Sequence, residues 1–122
     1  MPKLFVEKNN SLTIMLSGEI DQHIVTNLKD SIDVEIEHTG KKILIFDLSN
    51  VSLMDSSGIG LILGRYKKMT SISGKIAICG ASPTVKRIIE LSGITKLIPY
   101  FSNRDCAQRS LCPDDSGRSE TI

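Results

Sequence analysis

Apolar and polar positions divide the first third of the chain into a hairpin and a helix. Residues 4–6 and 12–16 are short apolar runs that flank a polar stretch, which predicts two strands with a turn at Asn9 and Asn10. We expect Gly18 to end the second strand. Apolar residues then recur at steps of three and four, which predicts a helix with a buried stripe of Val25, Leu28, Ile32 and Ile36.

The remaining apolar runs predict buried strands that alternate with helices. Residues 43–48 and 75–79 are nearly unbroken apolar runs, typical of strands covered on both faces in a parallel sheet. After a short loop, residues 54–58 begin a second helix with a predicted stripe of Ile59, Ile62, Leu63, Tyr66 and Met69. A third helix follows Ser82, a last short strand begins at residues 97–98, and residues 102–111 favour a final helix.

Residues that favour helix ends and turns punctuate this pattern. Asp21 can cap the first helix, because its carboxylate can accept a hydrogen bond from an unpaired backbone N–H. Gly40 can end that helix, and Pro83 stands at the favoured first position of the third. The alternation predicts a single α/β domain over residues 3–111, with a mixed sheet of four to five strands. The polar residues 112–122 predict a disordered tail.

Charge and cysteine content narrow the function classes. The 122 residues carry a formal net charge of +1, so we expect neither a nucleic acid nor an anionic membrane as partner. There is no secretory leader pattern and no apolar run long enough to span a bilayer, which favours a cytoplasmic protein. The three cysteines and two histidines form no ligand pattern, so we expect no metal and no cofactor. Cys79 is expected to be a small buried hydrophobe.

The segment with the strongest chemical signal spans residues 55–60, Asp-Ser-Ser-Gly-Ile-Gly, between a buried strand and a helix. Its simplest interpretation is a capped helix start, because short polar side chains satisfy the free N–H groups there. Three glycines inside one helix, Gly58, Gly60 and Gly64, favour a second role, since each costs about 0.5–1 kcal/mol relative to alanine. Gly58 and Gly60 would leave the first turn bare for a partner. Alternatively, Gly60 and Gly64, which share a helix face, would let the helix pack closely on the sheet.

A phosphate at this helix start would act as a switch. Free N–H groups and the helix dipole favour negative charge there, so the fold would tolerate a phosphoserine. A partner packed against the bare turn would have to desolvate a group carrying about −1.5 to −2 charges. Asp55 would add like-charge repulsion. We therefore expect phosphorylation to break binding without unfolding the domain.

Residues 54–68, MDSSGIGLILGRYKK, closely resemble the signature of STAS-domain anti-sigma-factor antagonists. Residues 18–21 (Gly-Glu-Ile-Asp), 81–87 and 92–93 match further parts of that family's pattern, so the resemblance covers about residues 3 to 110. It implies a single STAS domain with about four helices, packed mainly on one face of the sheet. It also implies a regulatory protein and not an enzyme, with no catalytic residues.

The resemblance implies a partner-switching cycle. The unmodified antagonist would bind an anti-sigma factor, itself a serine kinase with bound nucleotide, and so release a sigma factor. The kinase would then phosphorylate the antagonist, and the phosphorylated antagonist would dissociate from it. A PP2C-type phosphatase would remove the phosphate and restore the binding form. The stretch Gly64, Arg65 and Tyr66 favours the sporulation branch over the general stress pathway, which stays open.

Residue roles carry over from the resemblance by position. Ser56 would be the phosphorylated serine, with Ser57 as a more structural hydroxyl. Arg65 and Lys68 are weaker interface candidates and are also compatible with solvated charges. The implied partner-binding residues are Asp21, Asp55, Ser57, Gly58, Ile59 and Gly60.

Two other classes of function are alternative interpretations of the same residues. A nucleotide- or phosphate-binding enzyme would use a glycine-rich helix start, but Gly58, Gly60 and Gly64 fit neither G-x-G-x-x-G nor the P-loop spacing. Asp47 is expected to hydrogen-bond a nearby loop rather than act as a base. A STAS module of a transporter or stressosome is disfavoured by the short chain without a membrane span.

Overall fold

The N-terminal hairpin is present in the computed structural model, which describes residues 4–112. Strand β1 (Phe5–Lys8) pairs antiparallel with β2 (Ser11–Ile20). Asn9 forms the turn with a positive φ of 54°, a conformation that asparagine tolerates well. The predicted tail, apart from Cys112, lies outside the described residues.

Strands β2 and β3 are both longer than predicted. Gly18 does not end β2, because its positive φ of 76° lets the strand pass through an irregularity and continue to Ile20. Strand β3 (Ile43–Met54) also includes the residues expected to form a loop before Met54. The two strands run parallel to their last residues, where Ile20 pairs with Met54. Their carboxyl ends therefore reach the same edge of the sheet side by side.

Helices and strands alternate along the rest of the chain as expected. Helix α1 (Gln22–Thr39) is followed by Gly40 in the left-handed conformation, and Ser82 caps helix α3 (Pro83–Ser92), so these local predictions are confirmed. The last strand begins at Tyr100 rather than at residue 97, because a 3-10 turn and the buried Ile98 come first. The remaining elements are α2 (Ser56–Ser71), β4 (Lys75–Cys79), β5 (Tyr100–Phe101) and α4 (Arg104–Leu111).

The sheet has the order β1-β2-β3-β4-β5, with every pair after the first parallel. Helices α1, α2 and α3 contribute Ile32, Ile62 and Ile89 to one large core on a single face. Helix α4 places Ala107 against a smaller cluster on the opposite face. The predicted mixed sheet with helices mainly on one face is confirmed.

Cys79 belongs to the smaller cluster under α4 and is fully buried. Burial raises the pKa of its thiol to about 12, with the nearby Asp47 carboxylate adding to the effect. The prediction of a small buried hydrophobe is confirmed. Asp47 itself accepts hydrogen bonds from the backbone N–H and the hydroxyl of Ser49. Ser49 lies in β3 itself, so the expected hydrogen bond to a loop is replaced by one within the strand.

The three glycines of α2 have roles opposite to part of the sequence analysis. Gly58 is the glycine that packs tightly: a Cβ there would lie 3.2 Å from Ile20 Cγ2 and still closer to Met54 Cγ. A Cβ at Gly60 or Gly64 would meet no atom within 4 Å. Close packing on the sheet therefore explains Gly58 and not the other two.

The buried face of α2 is also rotated from the predicted stripe. Ile62 and Met69 are buried as expected, but Leu61 and Arg65 are buried with them. The predicted residues Ile59, Leu63 and Tyr66 are partly buried at the edges of the core. Helix α1 covers part of α2, so tertiary packing rather than the apolar spacing sets the buried face.

Two ion pairs join α1 to α2. Arg65 Nε lies 2.9 Å from Asp33 Oδ1, and the Arg65 side chain is only 8% exposed. The two atoms form an ion pair without a well-aligned hydrogen bond. Lys68 Nζ lies 2.9 Å from Glu37 Oε2 at a more solvated position. A solvated charge thus describes Lys68 but is wrong for Arg65.

Gly58→Ala should destabilise the domain, whereas Gly60→Ala should not. We expect Gly58→Ala to lower the free energy of unfolding by about 1–3 kcal/mol, because the new methyl group displaces Met54. Gly60→Ala enters open space in a helix and should raise that free energy by about 0.5–1 kcal/mol. Urea unfolding measures both; equal stability of the two variants would contradict the packing role of Gly58.

The two ion pairs should differ in their effect on stability. Arg65→Met should lower the free energy of unfolding by about 1–3 kcal/mol, because it leaves the Asp33 carboxylate unpaired beside the core. The matched variant Lys68→Met should change it by less than about 0.5 kcal/mol, because its pair is solvated. Thermal and urea unfolding at neutral pH test this, and equal losses would refute the distinction.

Candidate phosphorylation and partner-binding site

Two helix starts lie side by side at the carboxyl ends of β2 and β3. The backbone N–H of Asp55 donates to the carbonyl of Ile20 across a distance of 3.3 Å, which holds the two strand ends together. Asp21 caps α1 by accepting from the N–H of Ile24 at 3.2 Å, and Asp55 caps α2 by accepting from the N–H of Ser57 at 2.8 Å. The predicted cap at Asp21 and the predicted capped start of α2 are confirmed, although Asp55 rather than a serine hydroxyl caps α2. The positive ends of two helix dipoles share this edge.

Ser56 is the first residue of α2 and is exposed. Its hydroxyl makes no hydrogen bond with any residue that the structure describes, so it is free to react. Ser57 is half-buried, and its N–H rather than its hydroxyl takes part in the cap. The structural role expected for the Ser57 hydroxyl is therefore not seen.

A groove of about 730 Å³ runs from Ser56 along the contact between α1 and α2. Gly60 and Gly64 form part of one wall, and the absence of side chains there keeps the groove open. Thr26 and Lys29 of α1 form the opposite wall. Arg65 lines the far end, held by its ion pair with Asp33. The groove offers exposed backbone next to Ser56.

An acidic patch adjoins the two helix starts. Glu19, Asp21 and Asp55 surround a smaller depression of about 180 Å³, together with Leu53. Leu53 is 46% exposed and adds an apolar surface beside these carboxylates. The sequence analysis missed Glu19 and Leu53, because it ended both strands too early. The patch combines an apolar contact with three carboxylates at one rim of the groove.

The predicted site residues differ in their availability to a partner. Asp55, Ser56 and Gly60 are exposed, and Asp21, Ser57 and Ile59 are half-buried. Gly58 is buried against Met54, so it supports the surface from below rather than forming it. Six of these seven positions are therefore at least partly accessible: five at the start of α2, and Asp21, which caps the neighbouring helix.

The described residues contain neither a metal-binding cluster nor a membrane-spanning helix. Residues 4–112 contain no group of three or more His, Cys, Asp or Glu side chains that could hold a metal ion. None of the helices in this part of the chain is long and apolar enough to cross a membrane.

Comparison with known proteins agrees with this geometry. Residues 3–107 match the family model of the STAS domain. An anti-sigma F factor antagonist of Paenibacillus polymyxa is 37% identical over 92 residues, which cover 75% of this chain and 79% of the relative. An anti-sigma-B factor antagonist of Listeria monocytogenes is 30% identical over 87 residues, covering 71% and 75%.

Solved structures of the antagonist SpoIIAA share the fold. The unphosphorylated form aligns with a TM-score of 0.74 at 27% identity, covering 87% of this chain and 93% of that one. The phosphorylated Bacillus form aligns with a TM-score of 0.67 at 26% identity, covering 87% and 96%. By sequence match and by structure, this chain belongs to the STAS domain family.

Proposed function

We propose that this chain is an anti-sigma-factor antagonist that is switched off by phosphorylation of Ser56. The main support for this proposal is the position of Ser56. It is exposed, has no hydrogen-bond partner among the described residues, and lies at the start of a helix beside an open groove. The relatives that match over most of their length bear the names of anti-sigma F and anti-sigma-B factor antagonists. SpoIIAA has been solved with and without phosphate, which supports a phosphorylation switch in this family.

The fold is suited to accept a phosphate on Ser56. The serine occupies the first helical position, where the dipole of α2 favours negative charge. Asp55 uses its own carboxylate to hold the N–H of Ser57 and thereby keeps the cap in place. Because Ser56 is solvent-exposed, repulsion between the phosphate and Asp55 is screened. We therefore infer that phosphorylation leaves the domain folded.

The same phosphate would exclude a partner from the groove. A partner segment seated beside Gly60 approaches the backbone of α2, since a Cβ is absent there. Its binding would bury the space around Ser56 and require a dianion to lose its water. On the α2 wall next to the serine, Ser57, Gly60 and Leu61 carry no charge that could replace the lost hydration. The basic residues of the groove are Lys29 on the α1 wall and Arg65, which is already paired with Asp33. Phosphorylation then acts on binding and not on folding.

The proposed partner is an anti-sigma factor that is also a serine kinase with bound nucleotide. It would transfer the terminal phosphoryl group of ATP to the Ser56 hydroxyl, and a PP2C-type phosphatase would remove it by hydrolysis. The higher identity to the anti-sigma F antagonist supports the sporulation pathway over the general stress pathway. The chain itself would be a regulatory module of the cytoplasm and not an enzyme.

Ser56→Ala should bind the kinase with unchanged affinity but remain bound in the presence of ATP. Ser56→Asp should bind at least about tenfold more weakly, because even one carboxylate must be desolvated in the interface. Both variants should keep the wild-type unfolding midpoint. Isothermal titration and gel filtration with ATP measure these effects.

Ser57→Ala is the matched control for that experiment. It should still accept phosphate and still dissociate in the presence of ATP. Phosphopeptide mapping that placed the phosphate on Ser57 would remove Ser56 from its role. ATP turnover by the purified chain without kinase would instead favour an enzyme.

The Asp21→Asn variant keeps a side-chain oxygen that can cap α1 but removes the negative charge. Asparagine caps helices about as well as aspartate, so the unfolding midpoint should stay within about 2 °C of wild type. Loss of the carboxylate from the acidic patch should weaken kinase binding by about tenfold. Unchanged affinity in this variant would reduce Asp21 to a helix cap.

A further inference from the structure

A second cavity lies on the face of the sheet opposite the α1–α2 groove. It has a volume of about 260 Å³ and is lined by Val6, Lys8, Thr13, Arg104, Asp105 and Gln108. Thr13 pairs with Ile45 of β3, and Ile45 belongs to the core cluster under α4. The cavity is therefore formed by β1, β2 and α4, on the side of the sheet away from α1, α2 and α3.

Thr13 carries an unusual hydroxyl into this cavity. The residue is 0% exposed, and its Oγ1 has no hydrogen-bond partner among the residues described. Buried polar side chains in proteins nearly always have such a partner. Ser11, two residues earlier on the same face, shows the contrast: its hydroxyl donates to the carbonyl of Lys8 at 2.8 Å and accepts from the Gln108 amide. Thr13 lines the cavity and lies on the α4 face of the sheet, away from the larger core.

Two cationic side chains, Lys8 and Arg104, line the cavity with Thr13. Lys8 makes no ion pair within residues 4–112. Arg104 donates from Nη1 to the weak acceptor Met15 Sδ at 3.4 Å and forms a loose ion pair with Asp47, whose Oδ2 lies 4.0 Å from its Nε. The Gln108 amide is already engaged, since it donates to Ser11 and accepts from the Cys112 thiol at 3.4 Å.

We propose that this cavity binds a small oxyanion with a single negative charge, such as a carboxylate. The oxyanion would accept a hydrogen bond from Thr13 Oγ1 and pair with Lys8 and Arg104. With Lys8 and Arg104 each contributing +1 and the exposed Asp105 contributing −1, the lining carries a formal charge of +1, which matches a singly charged anion better than a polyanion. The site is separate from Ser56 and independent of the proposed partner switch.

Amide chemical shifts of the full chain, titrated with acetate and separately with phosphate at constant ionic strength, test this inference. We expect acetate to give saturable shifts at Lys8, Thr13 and Arg104, with half-saturation at about 10 mM or below, a range reached by small ligands with few contacts. Phosphate should bind the same site more weakly than acetate. Thr13→Val keeps the shape of the side chain but removes the hydroxyl. This variant and Lys8→Met should each weaken binding by about tenfold.

Lys96→Met is the matched control, because Lys96 is an exposed lysine outside this cavity. It should bind both anions as wild type does. Unfolding midpoints verify that each variant is folded before it is titrated. Shifts that never saturate, or a Thr13→Val variant with wild-type affinity for both anions, would overturn the proposal.

Discussion

The parallel pairing of β2 and β3 to their last residues is the constraint on which the site depends. Because Ile20 pairs with Met54, the next residues, Asp21 and Asp55, start their helices at one edge of the sheet. Each aspartate fixes its helix start through a backbone hydrogen bond. If either strand ended earlier, as the sequence pattern suggested, the two helix starts would not be held together.

The groove beside Ser56 depends on how closely α2 approaches its neighbours. Gly58 allows the first turn to rest on Met54 and Ile20, which sets the depth of the helix on the sheet. Arg65 then ties α2 to Asp33 of α1 and lines the end of the groove. Gly60, in contrast, adds nothing to packing and leaves the backbone accessible. Neighbouring glycines of one helix thus serve the fold and the surface separately.

Local signals predicted much of this architecture. The caps at Asp21 and Asp55 and the stop at Gly40 depend on residues within one turn, so the sequence pattern was sufficient for them. Gly18 was misread, because a positive φ suits a strand irregularity as well as a strand end. The burial of Arg65 depends on Asp33, thirty-two positions away along the chain, and no spacing rule links them. Leu53 likewise lies in a part of β3 that pairs with β2, whereas the sequence pattern predicted a loop there, so its exposure beside Glu19 was not predicted.

The claim that phosphate on Ser56 blocks binding without unfolding the domain is best tested by the affinity of the anti-sigma factor for the fully phosphorylated and the unmodified chain. Isothermal titration of both forms, with their unfolding curves recorded in parallel, separates binding from folding. We expect phosphate on Ser56 to lower the affinity for the anti-sigma factor by at least about a hundredfold, equivalent to about 2.7 kcal/mol. The unfolding midpoint should hardly change. Equal affinity of the two forms, or loss of binding through unfolding, would contradict it.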